Sequence, residues 1–150
     1  MIGYLDTAAF VPLMLTAEPT SAACLDFWRT ADLVVSTRLL YVESVSALAR
    51  GEPSRRLVGD QYERALAQLN NLYVEVQLID IDDGLVEAAA GYARRFGLRA
   101  YDAVHCAAAA QLEEPDLVAA SGDKRLLAAW RELRVSTFDP AAPGGPTRPA

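Results

Sequence analysis

At 150 residues, with 52% hydrophobic and 23% charged side chains, the chain has the length of one domain and the composition of a globular rather than a disordered protein. A formal net charge of −6 argues against a general polyanion binder held by bulk attraction, and no apolar run reaches the roughly 18 residues of a membrane span. Two cysteines, Cys24 and Cys106, without a Cys-x-x-Cys spacing exclude a zinc-finger framework and suit a reducing cytosol. The opening MIGYLDTAAF has no basic stretch of a secretion signal, so a cytoplasmic location is expected.

In chain order, Ile2–Leu5 reads as a first strand, and Ala8–Leu15 as an apolar helix disturbed by Pro12. Residues 21–31 carry a helical stripe, Leu33–Ser36 reads as a second strand, and Thr37–Arg50 as a helix stopped by Gly51. Pro53 opens a long amphipathic helix to about Leu72. The alternation in Val74–Ile81 predicts a third strand. Asp82 and Asp83 cap a helix of about 83–96 that Gly97 ends. An alanine-rich helix over Tyr101–Leu112, a strand at Leu117–Ala120, a helix at Lys124–Trp130 and a strand at Val135–Phe138 complete the series. Residues 140–150, rich in proline and glycine, read as a tail outside a 1–139 domain. Strands separated by helices predict a three-layer α/β/α domain on a mainly parallel five-stranded sheet. Such sheets bind ligands beyond the carboxyl ends of their strands, so the residues just after each strand matter most.

Four acidic residues come up under that question. Asp6 follows the first strand, Asp123 follows the fourth in the turn SGD, and Asp102 lies in the first turn of a helix. Glu43 sits within the apolar stretch LLYVESVSAL. Helix capping alone would account for Asp6 and Asp123, and dipole complementation for Asp102. Glu43 is harder to dismiss, because a carboxylate on an apolar helix face needs a partner: Arg50, Arg38, or a polar site shared with other groups. Together, several carboxylates at one sheet edge repel each other, and a divalent cation relieves that cost. Oxygen ligands without cysteine or clustered histidine favour Mg²⁺, with Mn²⁺ able to substitute. Ions so held can activate water and stabilise a leaving oxygen, which is phosphodiesterase chemistry.

The stretches YLDTAAFVPL, YVESVSALAR, LRAYDAVHCAAAA and SGDKRLL resemble the PIN domain, most of all its VapC toxin members. The resemblance spans essentially residues 1–138 and assigns metal-binding and catalytic roles to Asp6, Glu43, Asp102 and Asp123. It implies a Mg²⁺-dependent endoribonuclease, usually a homodimer, inhibited by a small cognate antitoxin. An inhibitor placing an Arg or Lys among the four carboxylates would pair with them and displace metal. Thr7 and Ser121 are candidates to hydrogen-bond a ligand carboxylate or a metal-bound water. Thirteen of the fourteen basic residues are arginine, and Arg94, Arg95, Arg99 and Arg125 are the candidates for contact with RNA phosphates. His105, the only histidine, is expected to have a structural hydrogen-bonding role.

Other readings have specific requirements. A haloacid-dehalogenase-type phosphatase needs a second Asp where Ala8 stands, and a receiver domain needs an acidic pair after the first strand. No GxxxxGK[ST] motif is present. A non-catalytic PIN-like RNA- or protein-binding module would be expected to lose acidic positions, yet all four remain. Another metal-dependent phosphohydrolase is the remaining alternative.

Overall fold

The computed structural model describes residues 1–51, 57–142 and 144–148. Five short segments become strands: β1 (Ile2–Leu5), β2 (Leu33–Thr37), β3 (Gln77–Ile79), β4 (Leu117–Ala120) and β5 (Ser136–Phe138). All four pairings are parallel and the order is β3-β2-β1-β4-β5. The chain lays β2 and then β3 to one side of β1, then crosses back to place β4 on the other side. The order therefore reverses between β1 and β4, and a crevice opens beyond their carboxyl ends.

Among the described residues, seven α-helices cover the sheet: α1 (Thr7–Phe10), α2 (Ser21–Thr30), α3 (Leu39–Arg50), α4 (Gln61–Tyr73), α5 (Asp83–Phe96), α6 (Ala100–Ala110) and α7 (Lys124–Glu132). Because side chains alternate along a strand, β1 sends Tyr4 to one face and Leu5 to the other. Tyr4, Val35 and Ala119 face a core completed by Leu85 of α5, the alanines of α6, and Leu127 and Trp130 of α7. Leu5, Val34 and Val118 face a second core with Phe10, Phe27, Leu40, Leu48 and Leu69 from α1 to α4. Two cores, one on each side of a parallel sheet, make the expected α/β/α sandwich. Cys24 and Cys106 are buried free thiols within it.

Several boundaries differ from expectation. The helix expected over 8–15 is only α1, followed by a 3₁₀ turn at Val11–Leu13. Pro12 has no N–H to extend the α-helical ladder, and Met14 N–H bonds Val11 C=O instead, at 3.0 Å. The helix expected over 53–72 begins at Gln61. Gly59 adopts φ +61°, a left-handed turn that separates α4 from what precedes it, while Pro53 itself lies outside the described residues. β3 is shorter than the alternation in 74–81 suggests, because Glu75 and Val76 N–H groups bond back to Leu72 and Tyr73 in the turn closing α4. Thr37 belongs to β2 rather than to the following helix. The 140–150 segment, expected to stay apart from the fold, touches it at one point. Thr147 pairs antiparallel with Thr137 of β5 through hydrogen bonds of 2.9 and 2.7 Å.

Candidate functional site

Asp6 is the residue on which β1 ends and α1 begins. Its Oδ1 accepts from Ala9 N–H at 3.0 Å, the N-cap bond that starts the helix. Its Oδ2 accepts from the Ser121 hydroxyl at 2.5 Å. Ser121 Oγ in turn accepts from Asp123 N–H at 2.9 Å, so the ends of β1 and β4 are tied across the crevice by one hydroxyl. Asp123 caps α7, with Oδ1 accepting from Arg125 and Leu126 N–H at 2.8 and 3.0 Å. The capping reading of Asp6 and Asp123 is thus correct, and it is compatible with a further role, since capping fixes where each carboxylate points.

Glu43 takes neither arginine as its hydrogen-bonding partner. Arg38 pairs with Asp80, and Glu43 Oε1 lies 2.8 Å from Nε2 of His105 on α6. The other ring nitrogen of His105 is 2.7 Å from the Tyr4 hydroxyl. Asp102 stands one turn before His105 on the same helix face, half-buried in the first turn of α6.

Electrostatics join these groups. Burial, opposed by His105 and by the bonds from Ser121 and Ala9, pushes the Asp6 carboxyl up to about 6. Asp102 is raised above the ordinary carboxylate value by burial first and then by the charge of Asp123, with Glu43 adding to it and His105 and Arg99 opposing. Each of the four acidic residues therefore acts on, or responds to, at least one of the others. Among the described residues, no three His, Cys, Asp or Glu side chains already form a metal-binding group. The donor set nevertheless fits a hard cation: it is all carboxylate oxygen, and two members, Asp6 and Asp102, are raised by burial first and by neighbouring carboxylates besides, a cost that a bound cation would offset. The buried hydroxyl of Thr7, adjacent to Asp6, has no hydrogen-bond partner within the protein and adds a free oxygen at that edge.

The arginines are distributed unevenly. Arg99 lies exposed beside Asp102, and Arg94 is exposed in the last turn of α5. Arg95 lies over the Phe96 ring at 4.7 Å and 3.8 Å from Glu132, and Arg125 donates to the Gly97 carbonyl at 3.0 Å. Two residues have places at the site that the sequence reading missed, Arg50, considered there only as a partner of Glu43, and Tyr4. Arg50 lines a cleft of about 230 Å³ with Thr7, Val42, Glu43 and Tyr101, next to the acidic edge. Tyr4 precedes Asp6 by two positions on a strand, and that period, which puts both on one face, was the available signal.

The PIN domain family model matches residues 3–132. Ribonuclease VapC49 of Mycobacterium tuberculosis is 32% identical over 123 residues, covering 82% of this chain and 85% of the relative. In fold, the chain is similar to the crystal structure of Mycobacterium tuberculosis VapC20, described as a Sarcin-Ricin loop cleaving toxin. The TM-score is 0.66 at 18% identity, covering 85% of this chain and 94% of that one. A toxin–antitoxin complex from Klebsiella pneumoniae contains a chain with TM-score 0.64 at 13% identity, covering 92% and 97%. The order of the four acidic motifs, the β1–β4 crevice that receives Asp6 and Asp123, and these similarities agree, and the chain belongs to the PIN-domain family, within its VapC group.

Proposed function

We propose that the chain is a Mg²⁺-dependent endoribonuclease, the toxin of a toxin–antitoxin pair, working on RNA phosphodiester bonds at the β1–β4 crevice. The observation that carries this reading is the coupling of Asp6, Glu43, Asp102 and Asp123 at one sheet edge, with Asp6 and Asp123 tied through Ser121. The ribonuclease name of VapC49 and its relatives supports the substrate class.

In this reading Asp6, Glu43, Asp102 and Asp123 hold Mg²⁺, or Mn²⁺ in its place. When bound, the ion supplies an activated water and a Lewis acid for the phosphate. The chain's own contribution is preorganisation. Ala9 N–H and Ser121 fix Asp6, the N-terminal turn of α7 fixes Asp123, and His105 fixes Glu43. Arg99 and Arg50 are placed to take the phosphates flanking the scissile bond, which offsets the acidic net charge locally. Arg94 is a further phosphate contact, whereas Arg95 and Arg125 first have to leave their present partners.

Incubation with single-stranded RNA and Mg²⁺ or Mn²⁺ should give products with 5′-phosphate and 3′-hydroxyl ends. Asp102→Asn should lower the rate by at least about 10²-fold with the fold intact. Cyclic 2′,3′-phosphate ends, or full activity in EDTA, would sink the mechanism. Partners follow from the same reading. A nuclease acting on the RNA of its own cytosol requires an inhibitor, and the Klebsiella structure supports an antitoxin bound to this fold. Co-expression with the neighbouring small reading frame should give a co-purifying complex without cleavage activity. Sizing of the free toxin should give a homodimer.

A further inference from the structure

Behind the acidic edge, two buried polar side chains that hold no ion in the proposed chemistry, Tyr4 and His105, form a row ending on Glu43. Tyr4 is 0% exposed at the centre of the sheet, and His105 is 1% exposed on α6. The Tyr4 hydroxyl oxygen is 2.7 Å from Nδ1 of His105, and Nε2 of the same ring is 2.8 Å from Oε1 of Glu43. The two rings meet edge-on with centroids 5.9 Å apart, and Trp130 braces the other side of Tyr4 edge-on at 5.8 Å. The row thus runs from the strand at the middle of the sheet to one carboxylate of the crevice, and packing fixes its first two members.

The protons in this row can be placed by what each atom is able to do. An ionised carboxylate only accepts, so Glu43 requires an N–H on Nε2. A neutral imidazole has one N–H, which leaves Nδ1 as an acceptor for the Tyr4 hydroxyl. A phenol carries its proton at neutral pH, so the buried Tyr4 hydroxyl has one to donate. Ser36 also lies beside the phenol, but its own hydroxyl donates to Leu5 C=O at 2.6 Å. If the phenol donated to Ser36 instead, Nδ1 would have to carry a proton, and only an imidazolium could then still donate to Glu43.

We propose that Tyr4 and His105 are a positioning relay for Glu43: Tyr4 donates to Nδ1 and fixes the Nε2–H form of His105, and that N–H holds one oxygen of Glu43, leaving the other for the ion. Neither residue touches substrate; both act through Glu43. The inference rests on the proposed reading of Glu43 as an ion-holding group, and its test separates the two.

His105 is the only histidine, so its ring nitrogens are identified without assignment in a ¹⁵N-labelled, metal-free sample. Long-range proton–nitrogen spectra at mildly alkaline pH should show the neutral Nε2–H form in the native chain. In Tyr4→Phe, which keeps the packing on Trp130, that preference should be lost. Mn²⁺ titration followed by electron paramagnetic resonance should show binding about tenfold weaker in Tyr4→Phe and about 10–100-fold weaker in His105→Ala. His105→Gln, which keeps an N–H donor toward Glu43, should recover most of the His105→Ala loss. In a Glu43→Ala background, Tyr4→Phe should cause no further loss. An Nδ1–H form or an imidazolium in the native chain overturns the relay, as does equal Mn²⁺ affinity in native, Tyr4→Phe and His105→Ala proteins. If the native chain takes up no Mn²⁺, the ion reading of the edge fails, and the nitrogen spectra of native and Tyr4→Phe proteins alone decide the relay. Should Tyr4→Phe fail to fold, the His105 variants and the native spectrum decide it.

Discussion

Asp6 illustrates how one side chain can serve the fold and burden it together. Its carboxylate caps α1 and accepts from Ser121, yet burial raises its pKa from 3.8 to about 6. Between these values the native state binds the proton more tightly than the unfolded chain does. The stability of the metal-free protein therefore falls as pH rises through that window, and the full cost is present above it. Asp6→Asn keeps an oxygen for the Ala9 cap and removes the charge. It should stabilise the metal-free chain at neutral pH by on the order of 2 kcal/mol, with the gain vanishing near about pH 4. Urea unfolding at a series of pH values in EDTA measures this, and a destabilised variant at neutral pH would contradict it. The positions of the four carboxylates were legible in the sequence because Asp6, Asp102 and Asp123 each follow a strand or open a helix, and Glu43 interrupts an apolar helix face. Their partners were not. Nothing in the chain order announces that Glu43 meets His105, 62 positions later and in the opposite helical layer, rather than one of its neighbouring arginines.

At the scale of elements, β1 and α2 meet without a spacer. A Cβ built on Gly3 would lie 2.9 Å from Phe27 Cε1 and 3.1 Å from Ala31 Cβ. The Phe27 ring has little room to yield, since it stacks on Phe138 with centroids 4.9 Å apart. Gly3→Ala should therefore cost about 1–3 kcal/mol, read as a lower urea midpoint at unchanged slope. An unchanged midpoint would show that the aromatic pair gives way freely. Most elements were readable because a buried apolar run bounded by Gly, Pro or Asp identifies itself locally: β1, β4, and α5 between Asp82 and Gly97 are examples. Two of the misreadings share one cause, which is that apolar character persists through turns. Val11–Leu13 and Val74–Val76 are as hydrophobic as the elements they adjoin, but Pro12 and the close of α4 decide their backbone.

For the molecule as a whole, the reversal of strand order between β1 and β4 locates the crevice, and the acidic edge is where the proposed cation would bind. An ion bound only by the native state stabilises it by about 2.7 kcal/mol at a free concentration of 100 times Kd. Saturating Mg²⁺ or Mn²⁺ should therefore raise Tm by about 5–10 °C over the EDTA value, and Asp102→Asn should lose most of that rise. Equal Tm values with and without the ion would leave the acidic edge without the occupant proposed for it. No helix among the described residues is long and apolar enough to cross a membrane.

The return of the chain to β5 has a consequence for how copies of this protein behave toward each other. β5 is one of the two outermost strands of the sheet, with β3 at the other margin, and an outermost strand is a template on which a foreign strand can grow. Thr147 occupies the two backbone groups of Thr137 that such growth would use first. The proline-rich segment should thus guard this margin against templated association, and a prolyl neighbour on each side of Thr147 and Arg148 should make that guard a poor template itself. A chain cut after Asp139 should keep its fold and yet show concentration-dependent light scattering on mild heating that the full chain does not. Identical scattering from the two would mean that the sheet margin is protected by something else.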